Sequence, residues 1–191
     1  GRGVSGRRMA YLLREGEKQT RRALEPFGYY SPTIDIQRDR QGDALVVRVV
    51  VDPGRPVRVR NSDIAILGPG SQDRYLERDI ARFVPSVGSV FVHPEYEASR
   101  NRLSRRLTER GYFDADFVSH RVEITRADFA ADIDLVWNSG DRYNMGPTTF
   151  EQTPEQGVND SLLERLVYWK EGSYYHQGRI DRLRSSLGRL D

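Results

Sequence analysis

Apolar positions follow two rhythms along this chain, and between residues 54 and 138 they can be read without a gap. Val57-Arg58-Val59-Arg60 and Ile64-Ala65-Ile66-Leu67 read as strand, closed by the turn Gly68-Pro69-Gly70. Ser71 reads as a helix N-cap, and Tyr75, Leu76, Ile80, Phe83 and Val84 follow at helical spacing until Pro85 stops the helix. After a link over 87–92, His93-Pro94 opens a second helix with proline at the favoured first position. That helix is expected to run to Arg110, with Tyr96, Leu103 and Leu107 on one stripe and Gly111 as a left-handed C-terminal cap. A strand of period two comes next. Val118, His120, Val122 and Ile124 share one face, and Ser119, Arg121, Glu123 and Thr125 take the other. A turn near residues 126–128 leads into Ala131, Ile133, Leu135 and Trp137, which alternate with Asp132 and Asp134. The order is β-α-α-β-β.

The same signals recur on either side. Leu24-Glu25-Pro26-Phe27-Gly28-Tyr29-Tyr30 is echoed by Leu107-Thr108-Glu109-Arg110-Gly111-Tyr112-Phe113, and Pro53-Gly54-Arg55-Pro56-Val57-Arg58-Val59 by Ser139-Gly140-Asp141-Arg142-Tyr143-Asn144-Met145. Leu76-Glu77-Arg78 matches Leu163-Glu164-Arg165, Gly88-Ser89 matches Gly172-Ser173, and Asn101-Arg102-Leu103 with Leu107 matches Asp181-Arg182-Leu183 with Leu187. A period of 80 to 87 residues is too long for a solenoid and marks tandem small domains. Residues 5–28 then read as the second helix of a preceding unit, Ile34 and Ile36 as its second strand, and 45–51 as its third. That third strand is apolar on both faces apart from Arg48, which predicts a position inside its sheet. Residues 139–191 supply a first strand and two helices of a following unit without its hairpin, so those helices are expected to be poorly covered. The expected domains are 1–53, 54–138 and 139–191, joined through Pro53-Gly54 and Ser139-Gly140.

Composition changes this picture little. The 191 residues hold 30 Lys and Arg, 28 Asp and Glu and no Cys, for a formal net charge of +2. Without cysteine there is no disulfide framework, thiolate nucleophile, zinc finger or iron–sulfur site. The longest apolar stretch, 45–51, is broken by Arg48 and cannot span a bilayer as a helix. The chain opens on Gly1 rather than Met and shows no signal-peptide pattern, which reads as a processed or trimmed chain. Only Lys18 and Lys170 among the basic residues are lysines. The densest cationic cluster is Arg100, Arg102, Arg105, Arg106 and Arg110, read as the solvated face of the second helix, with nucleic-acid binding as the alternative.

Motifs of catalysis are scarce. Gly1-Arg2-Gly3-Val4-Ser5-Gly6 matches a dinucleotide fingerprint in letters, but no strand precedes it, and it reads as a flexible stretch. His93, His120 and His176 fall on a helix start, a strand and a helix, so no metal set forms. Asp132 and Asp134 share a strand face; the paired-carboxylate reading of an enzyme yields to a solvent-face reading, because no base or metal ligand accompanies them. Trp137, Trp169 and the pairs Tyr29/Tyr30 and Tyr174/Tyr175 read as core or junction aromatics. The chain is expected to be no enzyme and to need no cofactor. A three-stranded sheet covered on one face does leave two strand edges with unpaired N–H and C=O groups, and an extended segment can add to such an edge almost regardless of sequence.

The element order, the Gly-Tyr-Tyr and Gly-Tyr-Phe after each second helix and the junction Asn138-Ser139-Gly140-Asp141-Arg142-Tyr143 resemble POTRA domains, the polypeptide-transport-associated modules of the BamA/TamA outer-membrane superfamily. The segments Phe27-Gly28-Tyr29-Tyr30-Ser31-Pro32-Thr33-Ile34, Arg110-Gly111-Tyr112-Phe113-Asp114-Ala115-Asp116-Phe117 and Trp169-Lys170-Glu171-Gly172 resemble the TamA type in particular. The resemblance covers nearly the whole chain. Against the family pattern the chain lacks the first strand and helix of a first module, the end of a third and the membrane barrel. The resemblance implies an α+β fold of tandem POTRA modules, each a three-stranded mixed sheet covered on one face by two helices. It implies a periplasmic, non-catalytic arm of an outer-membrane β-barrel assembly factor. The expected partners are unfolded outer-membrane or autotransporter strands, a TamB-like inner-membrane partner and the protein's own C-terminal barrel, with no nucleic acid. A BamA-like or two-partner-secretion arm is the alternative. In this family the second strand is the proposed docking edge. Here that strand comprises Val118, Ser119, His120, Arg121, Val122, Glu123 and Ile124, and in the first module Thr33, Ile34, Asp35, Ile36, Gln37 and Arg38. Arg121 and Glu123 are also residues that could guard an edge against aggregation.

Overall fold

Alternating and helical stretches condense into ten elements in a computed structural model that describes residues 6–153 and 157–190. They are helix α1 (Gly6–Leu24), strands β1 (Thr33–Gln41), β2 (Ala44–Asp52) and β3 (Arg58–Leu67), helices α2 (Arg74–Ala81) and α3 (His93–Glu109), strands β4 (Asp116–Thr125) and β5 (Ala130–Asn138), and helices α4 (Asp160–Leu166) and α5 (Gln177–Leu187). Apart from Gly6, the first residue of α1, the glycine-rich N-terminal motif lies outside the described residues. No described helix is long and apolar enough to cross a membrane.

β3, β5 and β4 form a three-stranded sheet in that order. The Arg58 N–H donates to the Phe129 carbonyl at the start of β3, and the Ser139 N–H to the Leu67 carbonyl at its end. β3 and β5 thus begin together and end together, in parallel. β4 turns into β5 through a short 3-10 turn at Arg126–Asp128, so that pair is antiparallel and the sheet mixed. β5 buries Ala131, Ile133, Leu135 and Trp137 and leaves Asp132, Asp134 and Val136 half-buried. One face of this α+β fold is therefore covered and the other open.

The chain divides into two compact units: Gly1–Asp63 with Phe83–Ser99 and Arg121–Asp134, and Ile64–Arg82 with Arg100–His120 and Leu135–Asp191. In the first, Val57, Val59, Phe83, Phe91, Tyr96, Ala131 and Ile133 are buried, and Tyr96 meets Phe83 and Phe91 at ring distances of 6.0 Å. On the open face Arg60 forks between Asp132 (2.6 Å) and Asp128 (3.1 Å), and the Asn61 amide also donates to Asp132. In the second, Ile66, Leu76, Leu103, Leu107, Tyr112, Leu135 and Trp137 are buried. The expected stripe of Tyr96, Leu103 and Leu107 on α3 is thus apolar core.

Several sequence expectations are corrected. The 45–51 strand does not lie inside a sheet. β2 pairs with β1 alone, antiparallel from Thr33↔Asp52 to Gln41↔Ala44, and its apolar side chains are 38 to 50% exposed. In a two-stranded ribbon both faces stay accessible unless another element lies against them. Ser71 is not the N-cap of α2. Pro69–Gln72 winds as a 3-10 turn, and Asp73 caps instead, accepting the Tyr75 N–H at 3.0 Å. The α2 helix also ends at Ala81, short of the expected stripe; beyond it Phe83 stays buried and Val84 is exposed. The arginine face of α3 is not wholly solvated, since Arg106 pairs with Asp79 at 2.8 Å and Arg110 with Asp73 at 2.7 Å. The C-terminal helices match expectation: α5 buries no residue and α4 only Leu163.

Gly111 does adopt the left-handed backbone, with φ +89°. An added Cβ would stand 2.9 Å from the Tyr175 Cβ, closer than real side chains come, and a tight 3.2 Å from the Tyr143 carbonyl oxygen. Gly111→Val is expected to lower unfolding stability by at least about 2 kcal/mol, from the backbone alone before any clash. Urea unfolding followed by circular dichroism checks this, and an unchanged midpoint would refute the role given to Gly111.

Candidate functional site

Two features can meet a partner: the exposed strand edges and the junctions between repeats. β4 stands at one end of the sheet order with β5 as its strand partner, so one row of its N–H and C=O groups faces away from the sheet. Within β4, Val118, Ser119 and His120 belong to the second unit and Arg121, Val122, Glu123 and Ile124 to the first. Val118 is 60% exposed, and Val122 and Ile124 are half-buried, so the apolar alternation is covered only toward the strand end. The His120 ring stacks on Phe117 at 4.5 Å, and Phe117 leans on Trp137 at 5.2 Å. A small groove of about 130 Å³ opens there in the second unit, lined by Leu107, Tyr112, Phe113, Ala115, Phe117 and Trp137. Arg121 lies 3.9 Å from Asp134 across the open face.

β3, at the other end of the order, is not a bare edge over its first residues. Val59 donates to the Ser89 carbonyl, and Gly88 and Phe91 donate back to Val59 and Val57. In the β1–β2 ribbon, Thr33, Ile34, Asp35, Ile36, Gln37 and Arg38 all fall on β1, with only Ile34 and Ile36 half-buried. Each strand of that ribbon has one strand partner.

The junction residues named by the sequence form the same turn twice. The Asp52 carboxylate accepts the Gly54 N–H at 3.0 Å, and the Asn138 side-chain oxygen accepts the Gly140 N–H at 3.0 Å. Both glycines are left-handed, with φ +72° and +61°. Pro53 sits inside the first turn, and Ser139, fully buried, inside the second, where its hydroxyl accepts the Gly70 N–H and donates to the Gly140 carbonyl. Beyond the first turn, Val57 donates to the Gly28 carbonyl at 2.7 Å; beyond the second, Tyr143 donates to the Gly111 carbonyl at 2.9 Å. The two histidines left over have structural contacts: His93 pairs with Glu97, and His176 caps α5 by accepting the Gly178 N–H. Among the described residues no group of acidic or histidine side chains could hold a metal.

Sequence reasoning did not find Asp73 or Arg142. Asp73 accepts from Arg110, from the Tyr75 N–H and from the Tyr112 hydroxyl at 3.1 Å. Burial opposes its ionisation, yet these three donors hold its carboxyl below the ordinary range. Arg142 donates to the Arg110 and Tyr175 carbonyls, and burial followed by the neighbouring Arg110 lowers its pKa. For Asp73 the spacing to Tyr75 is an N-cap signal; for Arg142 the signal is its mismatch with Pro56 in the repeat.

Comparison with known proteins bears on the fold of this chain. Residues 2–53 match the family model described as POTRA domain TamA domain 1, and residues 59–138 match the POTRA model, surface antigen variable number repeat. Among solved structures the chain is similar to POTRA domains 3–5 of Haemophilus influenzae BamA, with 22% identity, 93% of this chain and 69% of that one covered, and a TM-score of 0.52. The N-terminal domain of Omp85 from Thermosynechococcus elongatus aligns at 18% identity over 91% of this chain and 70% of that one, with a TM-score of 0.37.

The Asp73 cluster yields a test. Its stabilisation is complete above the ordinary Asp value of 3.8 and is lost as pH falls below it, because the unfolded carboxyl then binds the proton more tightly. Asp73→Asn is expected to cost about 2 kcal/mol at pH 7 and to flatten the acid limb of the stability profile below pH 4. Urea titrations at pH 7 and pH 3 measure both; equal losses at the two pH values would contradict the assignment. With its two family matches and its β-α-α-β-β module, the chain belongs to the POTRA domain family.

Proposed function

We propose that this chain is the periplasmic, non-catalytic arm of an outer-membrane barrel assembly or translocation factor of the TamA kind. Its modules would be 1–53, 54–138 and 139–191, a division supported by the two family matches and by the repeated turns at Pro53-Gly54 and Ser139-Gly140. The arm receives extended segments of unfolded outer-membrane or autotransporter proteins, and a TamB-like inner-membrane partner, on its strand edges. The TamA character rests on the match over residues 2–53.

One observation carries the edge assignment: β4 has a strand partner on one side only, while the start of β3 is occupied by the 88–91 segment. Main-chain hydrogen bonds to β4 would read a client's extended backbone rather than its side chains, which suits many different barrel strands. The groove of Phe113, Phe117 and Trp137 beside the start of β4 offers an apolar seat for one client side chain.

Val122→Pro removes one N–H from β4 and disturbs its backbone. The expected outcome is an affinity for an unfolded outer-membrane β-strand peptide lowered about tenfold, measured by NMR titration, with the shifts of the unaltered protein confined to Val118, Ser119, His120, Arg121, Val122, Glu123 and Ile124. A folded Val122→Pro protein that binds as before would overturn the edge assignment. Shifts on Thr33, Ile34, Asp35, Ile36, Gln37 and Arg38 instead would move capture to β1.

A further inference from the structure

The two repeat junctions share a backbone and differ in charge. In the first unit Gly28, Val57, Val59 and the 88–91 segment form one hydrogen-bonded set; in the second, Gly111, Tyr143, Met145 and the 172–175 segment form the same set. Antiparallel bridges Arg58↔Val90 and Asn144↔Tyr174 fix the equivalence. Gly28 and Gly111, and Gly88 and Gly172, are left-handed in both copies. Reading the copies position by position, the first holds Phe27, Pro56, Val90, Val92 and Glu95 where the second holds Arg110, Arg142, Tyr174, His176 and Arg179. The backbone forms in the first copy without any of these cations, so the junction fold does not require them.

In the second unit these substitutions surround one cleft of about 750 Å³, lined by Arg110, Arg142, Tyr168, Tyr174, His176 and Arg179. Arg110 is paired with Asp73. Among the described residues Arg142 and Arg179 are in no ion pair and donate only to neutral oxygens. Arg142 spends Nε on the Arg110 carbonyl at 2.6 Å and one terminal nitrogen on the Tyr175 carbonyl at 3.2 Å, with its guanidinium 4.5 Å from the Tyr174 ring centre. Arg179 spends one terminal nitrogen on the Ser173 hydroxyl and the Tyr174 carbonyl. Each guanidinium has five N–H donors, so each keeps donors uncommitted. His176 does not add a charge: burial, then Arg110 and Arg142, push its pKa down. Asp73 acts on Arg142 only from beyond ion-pair distance, and a partly buried guanidinium with no carboxylate in hydrogen-bond reach is costly unless something anionic completes it.

We propose that this cleft binds the carboxylates of an acidic, tyrosine- or phenylalanine-containing segment of a partner polypeptide, received bidentately by Arg142 and seconded by Arg179. The geometry favours a polypeptide over a small oxyanion. A second cleft of about 470 Å³ adjoins it and shares Arg110, Arg142 and Tyr174, so the lining extends further than a phosphate-sized cup needs. Its tyrosines, Tyr168 and Tyr174, suit an aromatic side chain between two acidic ones. The proposal does not depend on strand addition at β4.

The test is an NMR titration of the whole chain, observing the arginine Nε–Hε signals, with three probes: acetyl-Glu-Tyr-Glu-amide, acetyl-Gln-Tyr-Gln-amide and inorganic phosphate. We expect saturable shifts at Arg142 and Arg179 with the acidic peptide, an affinity about tenfold weaker for the Gln peptide, and weakening of the acidic-peptide complex as salt is raised. Arg179→Gln, whose side chain bonds only to its own segment, is expected to lower acidic-peptide affinity about tenfold while leaving urea stability unchanged. Arg142→Gln is the second variant, read only if circular dichroism shows it folded. Equal binding of both peptides, no shift at either arginine, or full affinity in folded Arg179→Gln would overturn the proposal. Phosphate binding tighter than the acidic peptide would replace it with an oxyanion site.

Discussion

A carbonyl set free by a left-handed glycine underlies this chain. At Gly28 and again at Gly111 the helix stops, the backbone turns to positive φ, and the glycine carbonyl accepts the N–H of a residue beyond the next turn, Val57 or Tyr143. A side chain at either position would meet backbone or side-chain atoms within 3 Å. The entry of each new repeat is thereby hydrogen-bonded to the end of the helix before it. The turn in between is held by its own acceptor, Asp52 in one copy and Asn138 in the other. These are short-range, geometrically strict contacts, and they explain why the repeat is most visible in the sequence at glycines rather than in the core.

That is also why so much of the fold was legible. Glycines, prolines and alternating strands report local backbone, and the β-α-α-β-β order, the ends of α3 and the buried face of β5 follow from them. Misreadings came where a tertiary partner decided. Ser71 and Asp73 are both good caps by type; Asp73 wins because Arg110 and Tyr112, far along the chain, also need its carboxylate. Arg106 and Arg110 look solvated in the sequence because their partners lie on another helix or before it. β2 looks interior in the sequence because composition says what a strand could bury and not what lies against it.

The candidate sites divide in the same manner. The β4 edge is a consequence of topology, and any sequence giving this strand order would have one; its chemistry is main-chain and leaves few marks in side chains. The arginine cleft is the reverse. Nothing in the backbone asks for it, and it is visible only when one repeat is subtracted from the other. Tandem repetition supplies an internal control: positions alike in both copies serve the shared architecture, and positions that differ are where one copy can have taken on work of its own.

The valine-rich ribbon has a colloidal consequence. β2 presents Leu45, Val46, Val47, Val49, Val50 and Val51 to solvent on a strand with one neighbour, and Arg48 is the only charge among them. Such a surface attracts its own kind, at a rate that grows with the square of concentration when two chains must meet. Dilution, or a neighbouring strand laid along β2, would slow that encounter more effectively than any gain in the stability of the individual chain. For this molecule, staying folded and staying dispersed are governed by different residues.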